Sequence, residues 1–107
     1  MFSASDLKKW ILKYDAENKA YSSFWRNLES YKIEYPLEYE EYFANFDKSQ
    51  LDLKVESISI SYLNYPELDY NHVKLYIPIR YQNKNIGYYE ILLNFDGIVD
   101  DDFFVMY

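Results

Sequence analysis

Side chains able to do chemistry are few in this 107-residue chain. His72 is the only histidine and there is no cysteine. Thiolate catalysis, disulfides and cysteine-based zinc sites are therefore excluded. A lone histidine beside a strand start is expected at the surface or hydrogen-bonded. Ser59 and Ser61 alternate along a strand, and nothing near them marks a nucleophile. Carboxylates are the abundant functional group. Glu38 with Glu41, and Asp100 with Asp102, are spaced for acid–base work or a hard cation. The run from Asp96 to Asp102 lacks the following bidentate Glu of a calcium loop. Gly87 and Gly97 fall in a strand and a turn, so no loop cradles phosphate. These residues point to no metal, no cofactor and no enzyme.

What remains is acid interleaved with tyrosine. One patch is Glu34, Tyr35, Glu38, Tyr39, Glu41 and Tyr42. The other is Asp100, Asp101 and Asp102, set near a loop carrying Glu67, Asp69 and Tyr70. Carboxylates accept paired hydrogen bonds from arginine, and tyrosine adds rigid contact area. Such a surface suits a basic protein partner and speeds its association. A solvated acidic face over packed tyrosines would look the same in sequence.

The elements that must position these groups follow from periodicity. Leu7, Ile11, Tyr14, Asn18, Tyr21, Trp25 and Leu28 form a helical seam. An unbroken helix over 4–31 would be about 42 Å long, more than so small a domain accommodates, so a bend is expected between Asp15 and Ser23, with Ser22 and Ser23 as caps. An unbroken seam would instead allow a coiled-coil dimer with Asn18 setting register. Tyr31 to Tyr35 reads as a connection, and Pro36 opens a third helix that runs to about Phe46. Helices thus occupy about 4–46.

From Leu51 the period is two. Strands are expected at about 51–62, 73–82, 86–95 and 98–107. Parity changes at Glu56-Ser57, which implies a bulge or two short strands. Pro78 cannot donate to a ladder, so the strand at 73–82 should lie at an edge or turn that position outwards. Residues 82–85 and Asp96-Gly97 are turns. The three aspartates must lie at an exposed kink. Helices first and strands after give an α+β fold: N-terminal helices on one face of a C-terminal antiparallel β-meander of about four strands, all within one domain, 1–107.

Composition sets the remaining bounds. Half the residues are hydrophobic and 21% aromatic, which excludes wholesale disorder. Net charge is −7, a surface that repels phosphate backbones and disfavours direct nucleic-acid binding. The start, Met1 to Asp6, lacks the pattern of a signal peptide, and no apolar run approaches a membrane span. A soluble, cytoplasmic protein with no membrane contact is expected.

The segments Ile77-Pro78-Ile79, Asn83-Lys84-Asn85-Ile86-Gly87-Tyr88-Tyr89, Asp96-Gly97 and Asp101-Asp102-Phe103-Phe104-Val105 carry a resemblance. Together they resemble the C-terminal meander of small bacterial toxin-immunity proteins, including those of contact-dependent growth inhibition and other polymorphic toxin systems. The resemblance covers about a third of the chain. It implies a cytoplasmic inhibitor that binds one cognate toxin domain, often a nuclease, at or near its active site. It carries over no functional residue. The expected partner-binding residues are Glu38, Tyr39, Glu41, Tyr42, Glu67, Asp69, Tyr70, Asp100, Asp101 and Asp102. Two other functions fit the same composition: a regulator that mimics nucleic acid, and a small-ligand domain with a tyrosine-lined cavity.

Overall fold

The computed structural model describes residues 3–107. Met1 and Phe2, which open the stretch read above for a signal peptide, lie outside them. The fold is α+β, with three N-terminal helices followed by a five-stranded antiparallel sheet. Its spine is β3 (Tyr70–Tyr81), whose 12 residues turn Val73, Leu75, Ile77, Ile79 and Tyr81 toward the helices, all buried. On one side lies β4 (Lys84–Leu93), then β5 (Val99–Met106). On the other, β1 (Leu51–Leu53) and β2 (Ser57–Leu63) lie end to end. A strand as long as β3 spans roughly 40 Å. That length explains a molecule measuring 47 × 26 × 20 Å with a radius of gyration of 15.5 Å, against about 13 Å for an ordinary domain of this size.

The stretch expected as one strand at 51–62 is therefore two. Leu53 pairs with Ile79 and Ser57 with Tyr76, so Lys54, Val55 and Glu56 stand opposite only Ile77 and Pro78. One surplus residue reverses the parity, as a bulge does. Of the two placements open to Pro78 the edge is ruled out, because β3 is interior. On the bulged side the Tyr76 carbonyl accepts from the Glu56 N–H at 2.9 Å. Pro78, two residues on, faces the same way, so its missing donor falls where the ladder is already interrupted.

The turn between β3 and β4 has two residues, Gln82 and Asn83, with φ of 51° and 62°. Both central residues are left-handed, as a twist-matched hairpin requires.

Helix α1 (Ala4–Lys13) is capped by Ser3, whose side chain accepts from the Asp6 N–H. Helix α2 (Ala16–Glu34) follows after a break at Tyr14 and Asp15. The break comes early in the expected window, and Ser22 and Ser23 lie inside α2 without capping it. Asp15 takes up the left-handed conformation, φ 52° and ψ 42°, which a short polar side chain tolerates. The joint straddles the β4–β5 turn. From α1, Trp10 Nε1 donates to the Phe95 carbonyl at 2.9 Å; from α2, Lys19 Nζ donates to the Gly97 carbonyl at 2.8 Å. Gly97 has φ 77°, and a Cβ there would sit 2.5 Å from the Tyr14 ring. The seam thus bends around a turn, and Leu7, Ile11, Tyr14, Tyr21, Trp25 and Leu28 all pack on the core. An uninterrupted coiled-coil stripe is not formed.

Residues 31–34 belong to α2, not to a connection. The helix ends because Tyr35 precedes a proline, which disfavours helical backbone there. Helix α3 (Pro36–Phe43) begins with that proline and stops three residues before Phe46. Phe24, Phe43 and Tyr89, each with no exposed surface, fill the layer between helices and sheet. No helix among the described residues is long and apolar enough to cross a membrane.

Candidate functional site

The acids fall into separate places. Helix α3 packs on the far end of β3, where the Phe43 and Tyr81 rings are 5.2 Å apart. Glu67, Asp69 and Tyr70 lie at the other end of the same strand. Eleven residue steps of strand separate Tyr70 from Tyr81, roughly 36 Å. The two expected patches are therefore not one surface.

At the Tyr70 end the polar groups are only partly occupied, and Asn71 Oδ1 is buried without a partner. Asp69 accepts from Asn64 Nδ2 at 2.8 Å and closes the loop. Tyr70 packs edge-on against His72, 5.4 Å between rings. His72 is buried, with Nδ1 unpartnered, which corrects the expectation of a surface or bonded histidine. Glu67 is exposed.

The three aspartates are split by β5. Leu92 pairs with Asp101 and Leu93 with Val99, so Asp100 is the surplus residue of a bulge and is exposed, as is Asp101. Asp102 points inward. Its Oδ2 accepts from Tyr89 Oη at 2.7 Å and from Asn27 Nδ2 at 2.9 Å. It ties β5 to β4 and α2, so it is a structural group and not a steering charge. Burial, with the Asp102 carboxylate bonded to it, pushes the Tyr89 phenol well above the usual range.

The first patch keeps its acids open. Glu34, Glu38 and Glu41 are exposed, and none forms an ion pair with a described residue. Tyr39 is buried at 7% exposure, its ring against Phe43 and Tyr31, so it is core and not an anchor. Tyr42 is half-buried and its hydroxyl donates to the Tyr107 carbonyl. A groove of about 270 Å³ opens here between α2, α3 and the end of β5. Its rim carries Glu34, Tyr35 and Glu38, and its floor Tyr31, Phe104 and Met106. Tyr31 retains 8% exposure. Burial, followed by a hydrogen bond to the Glu38 carboxylate and its charge, pushes the Tyr31 phenol far up.

Sequence reasoning reached Glu34, Tyr35 and Glu38 but missed Tyr31, Phe104 and Met106. The last two are some 70 residues away and arrive only through the sheet. One local signal was available. Glu34 closes α2, where the helix dipole favours cations and an acid is unfavourable by about 0.3–1 kcal/mol.

The buried phenols set an alkaline limit. Tyr31, Tyr39, Tyr76 and Tyr89 are all raised, burial being the first cause in each. Their stabilising contribution is complete below about pH 10, where unfolded tyrosine titrates, and is lost as pH climbs toward the raised folded values. Each such phenol is expected to steepen the loss by up to about 1.4 kcal/mol per pH unit. In an alkaline titration, part of the tyrosinate absorbance should appear only together with the loss of circular dichroism.

Comparison with protein families, with curated proteins and with solved structures finds no match.

Proposed function

We propose that this chain is an immunity-type inhibitor that binds and neutralises a basic bacterial toxin domain in the cytoplasm. The observation that carries the proposal is the groove at α2, α3 and β5, whose exposed carboxylates form no ion pair among the described residues. Desolvating such groups is favourable only against a cation that pairs with them. Nucleases fit that description, because a face that holds phosphates is basic. Glu38 and Glu41 are the anchors, with Glu34 beside them; Asp100 and Asp101 add exposed charge farther along β5. A tyrosine-lined ligand cavity is disfavoured, since Phe24, Phe43 and Tyr89 occupy the layer where it would lie. Mimicry of nucleic acid is disfavoured too, because the acids are split between separate places and Asp69 and Asp102 are bonded internally.

Co-expression with the toxin domain encoded beside this gene is the direct test. A stable complex and rescued growth are expected; neither appearing would reject the proposal. The double substitution Glu38→Lys, Glu41→Lys should weaken binding by about tenfold or more and slow association mainly at low salt. Unchanged affinity with unchanged salt dependence would remove this acidic patch from the interface.

A further inference from the structure

We infer that the sheet face turned away from the helices is a contact surface for a second copy of this chain, the two sheets packing face to face about a two-fold axis that runs along the strands. The inference stands apart from the inhibitor proposal. The helices cover the side of β3 that carries Val73, Leu75, Ile77 and Ile79. Lys74, Tyr76, Pro78 and Arg80 alternate with these and point the other way. An antiparallel sheet with one open face normally turns polar residues to water. Here Tyr76 and Pro78 of β3, Tyr88 of β4, and Phe103, Val105 and Tyr107 at β5 form an apolar stripe on that face. The Tyr88 ring is 5.7 Å from that of Tyr76 and 6.2 Å from that of Tyr107, and a hydrogen bond ties Tyr76 to Tyr107. Phe103 remains 44% exposed and Tyr107 62%. The stripe holds no charge in a chain of net charge −7, so it offers nothing to the basic partner that the acids suit.

Area, shape and charge select a second copy as the occupant. Four strands abreast measure roughly 19 Å, and the 10 residues of β4 roughly 33 Å. The face is thus roughly 600 Å² on each copy and about 1,200 Å² for the pair, where specific interfaces begin. Strand register lines the outward residues into rows. Ser57, Tyr76, Glu90 and Phe103 stand side by side in one; Ser59, Lys74, Leu92 and Asp101 in the next. A two-fold axis along the strands lays each row, reversed, on its own image. Phe103 then lies over the small Ser57 of the second copy, and Tyr88 over Pro78. Tyr76 faces Glu90, Lys74 faces Leu92, and Asp101 faces Ser59. Large side chains meet small ones, and no like charges oppose. Lys74 comes beside Asp101 of the second copy, a carboxylate without an ion pair among the described residues. The pairing is isologous and closes at two copies. It leaves the α3 acids open, because they lie on the helix side.

Sedimentation equilibrium of the full chain from about 1 µM to about 1 mM covers the micromolar affinities at the weak end for such an area. A monomer–dimer equilibrium is expected. Amide NMR signals of Ser57, Tyr88 and Phe103 should shift with protein concentration, and those of Leu12 in α1 and Glu38 in α3 should not. Phe103→Lys places a cation beside Glu90 of its own sheet and should weaken the dimer by about tenfold or more, as loss of an aromatic anchor does. Asp101→Lys should weaken it several-fold, by repulsion from Lys74 of the second copy. Leu12→Lys, on an exposed residue of α1, should leave it unchanged. Weakening in either sheet variant, with native circular dichroism retained, supports the inference. A monomer at every concentration, a dimer unaffected by both sheet substitutions, or a dimer lost in Leu12→Lys would overturn it. So would shifts at Phe103 that appear only when the toxin domain is added, since the face would then belong to that partner. A dimer without a toxin complex rejects the inhibitor assignment alone, and a toxin complex of a monomeric chain rejects the dimer alone.

Discussion

Asp102→Ala is expected to lower the unfolding free energy by about 3 kcal/mol, since it removes two hydrogen bonds to an ionised group worth about 1.5–3 kcal/mol each, less the desolvation relieved. One oxygen of Asp102 holds Tyr89 Oη and Asn27 Nδ2 together. Without it the hydroxyl of Tyr89, a residue with no exposed surface, loses that acceptor. Asn27 would keep its bond to the Ser23 carbonyl at 2.8 Å and lose the one that reaches the sheet. For a domain near 100 residues the melting temperature should fall by more than about 10 °C. Asp102→Asn retains an oxygen acceptor and should lose roughly half as much. Asp100→Ala, at an exposed bulge, should stay within about 0.5 kcal/mol of the wild type. Chemical denaturation of the three variants checks the ranking. Equal, small effects would mean that Asp102 is a surface charge like its neighbours.

That ranking shows why the acidic run was only partly legible. Asp100, Asp101 and Asp102 are identical letters in sequence, and the argument that three carboxylates cannot all be buried unpaired holds for them. It does not say which one turns inward. The choice is made by register: the bulge at Asp100 puts Asp102 opposite Ile91, on the helix side with Phe104. Register depends on hairpin and bulge geometry over the whole sheet, and no window around residues 100–102 contains it.

Local rules carried the fold much further. Alternation placed β3 and β4, parity reversal announced the bulge between β1 and β2, and Pro36 fixed the start of α3. Where local rules failed, tertiary contact decided. Pro78 reads as an edge or outward-turned residue by its missing donor, yet it sits in the interior strand because the neighbouring strand is interrupted beside it. The α1–α2 break occurs at Asp15, not at the serine pair, because the helices must pass the β4–β5 turn that Trp10 and Lys19 grip. Tyr39 alternates with acids in the sequence and still belongs to the core, since only one face of α3 is solvated. For the candidate site, composition indicated acid and tyrosine together, but which tyrosine lies beneath the acids depends on α2 extending to Glu34.

Tyr31→Phe is expected to report on the joint between α2 and the acids of α3. Burial, followed by a hydrogen bond to the Glu38 carboxylate, holds the Tyr31 phenol protonated far above the usual range. Phenylalanine keeps the ring contacts with Tyr39 and Phe104 at 6.3 and 5.4 Å and removes the hydroxyl alone. Stability at neutral pH should fall by about 1 kcal/mol, the net value of one hydrogen bond, with a loss of roughly 4–8 °C in melting temperature. At high pH the variant should lose stability less steeply than the wild type, because one phenol that resists ionisation when folded and titrates at about pH 10 when unfolded is gone. Thermal melts at neutral and at alkaline pH on one pair of proteins check both effects. A variant as stable as the wild type at neutral pH, and equally steep in its alkaline loss, would show that the hydroxyl neither bonds Glu38 nor is held neutral by burial.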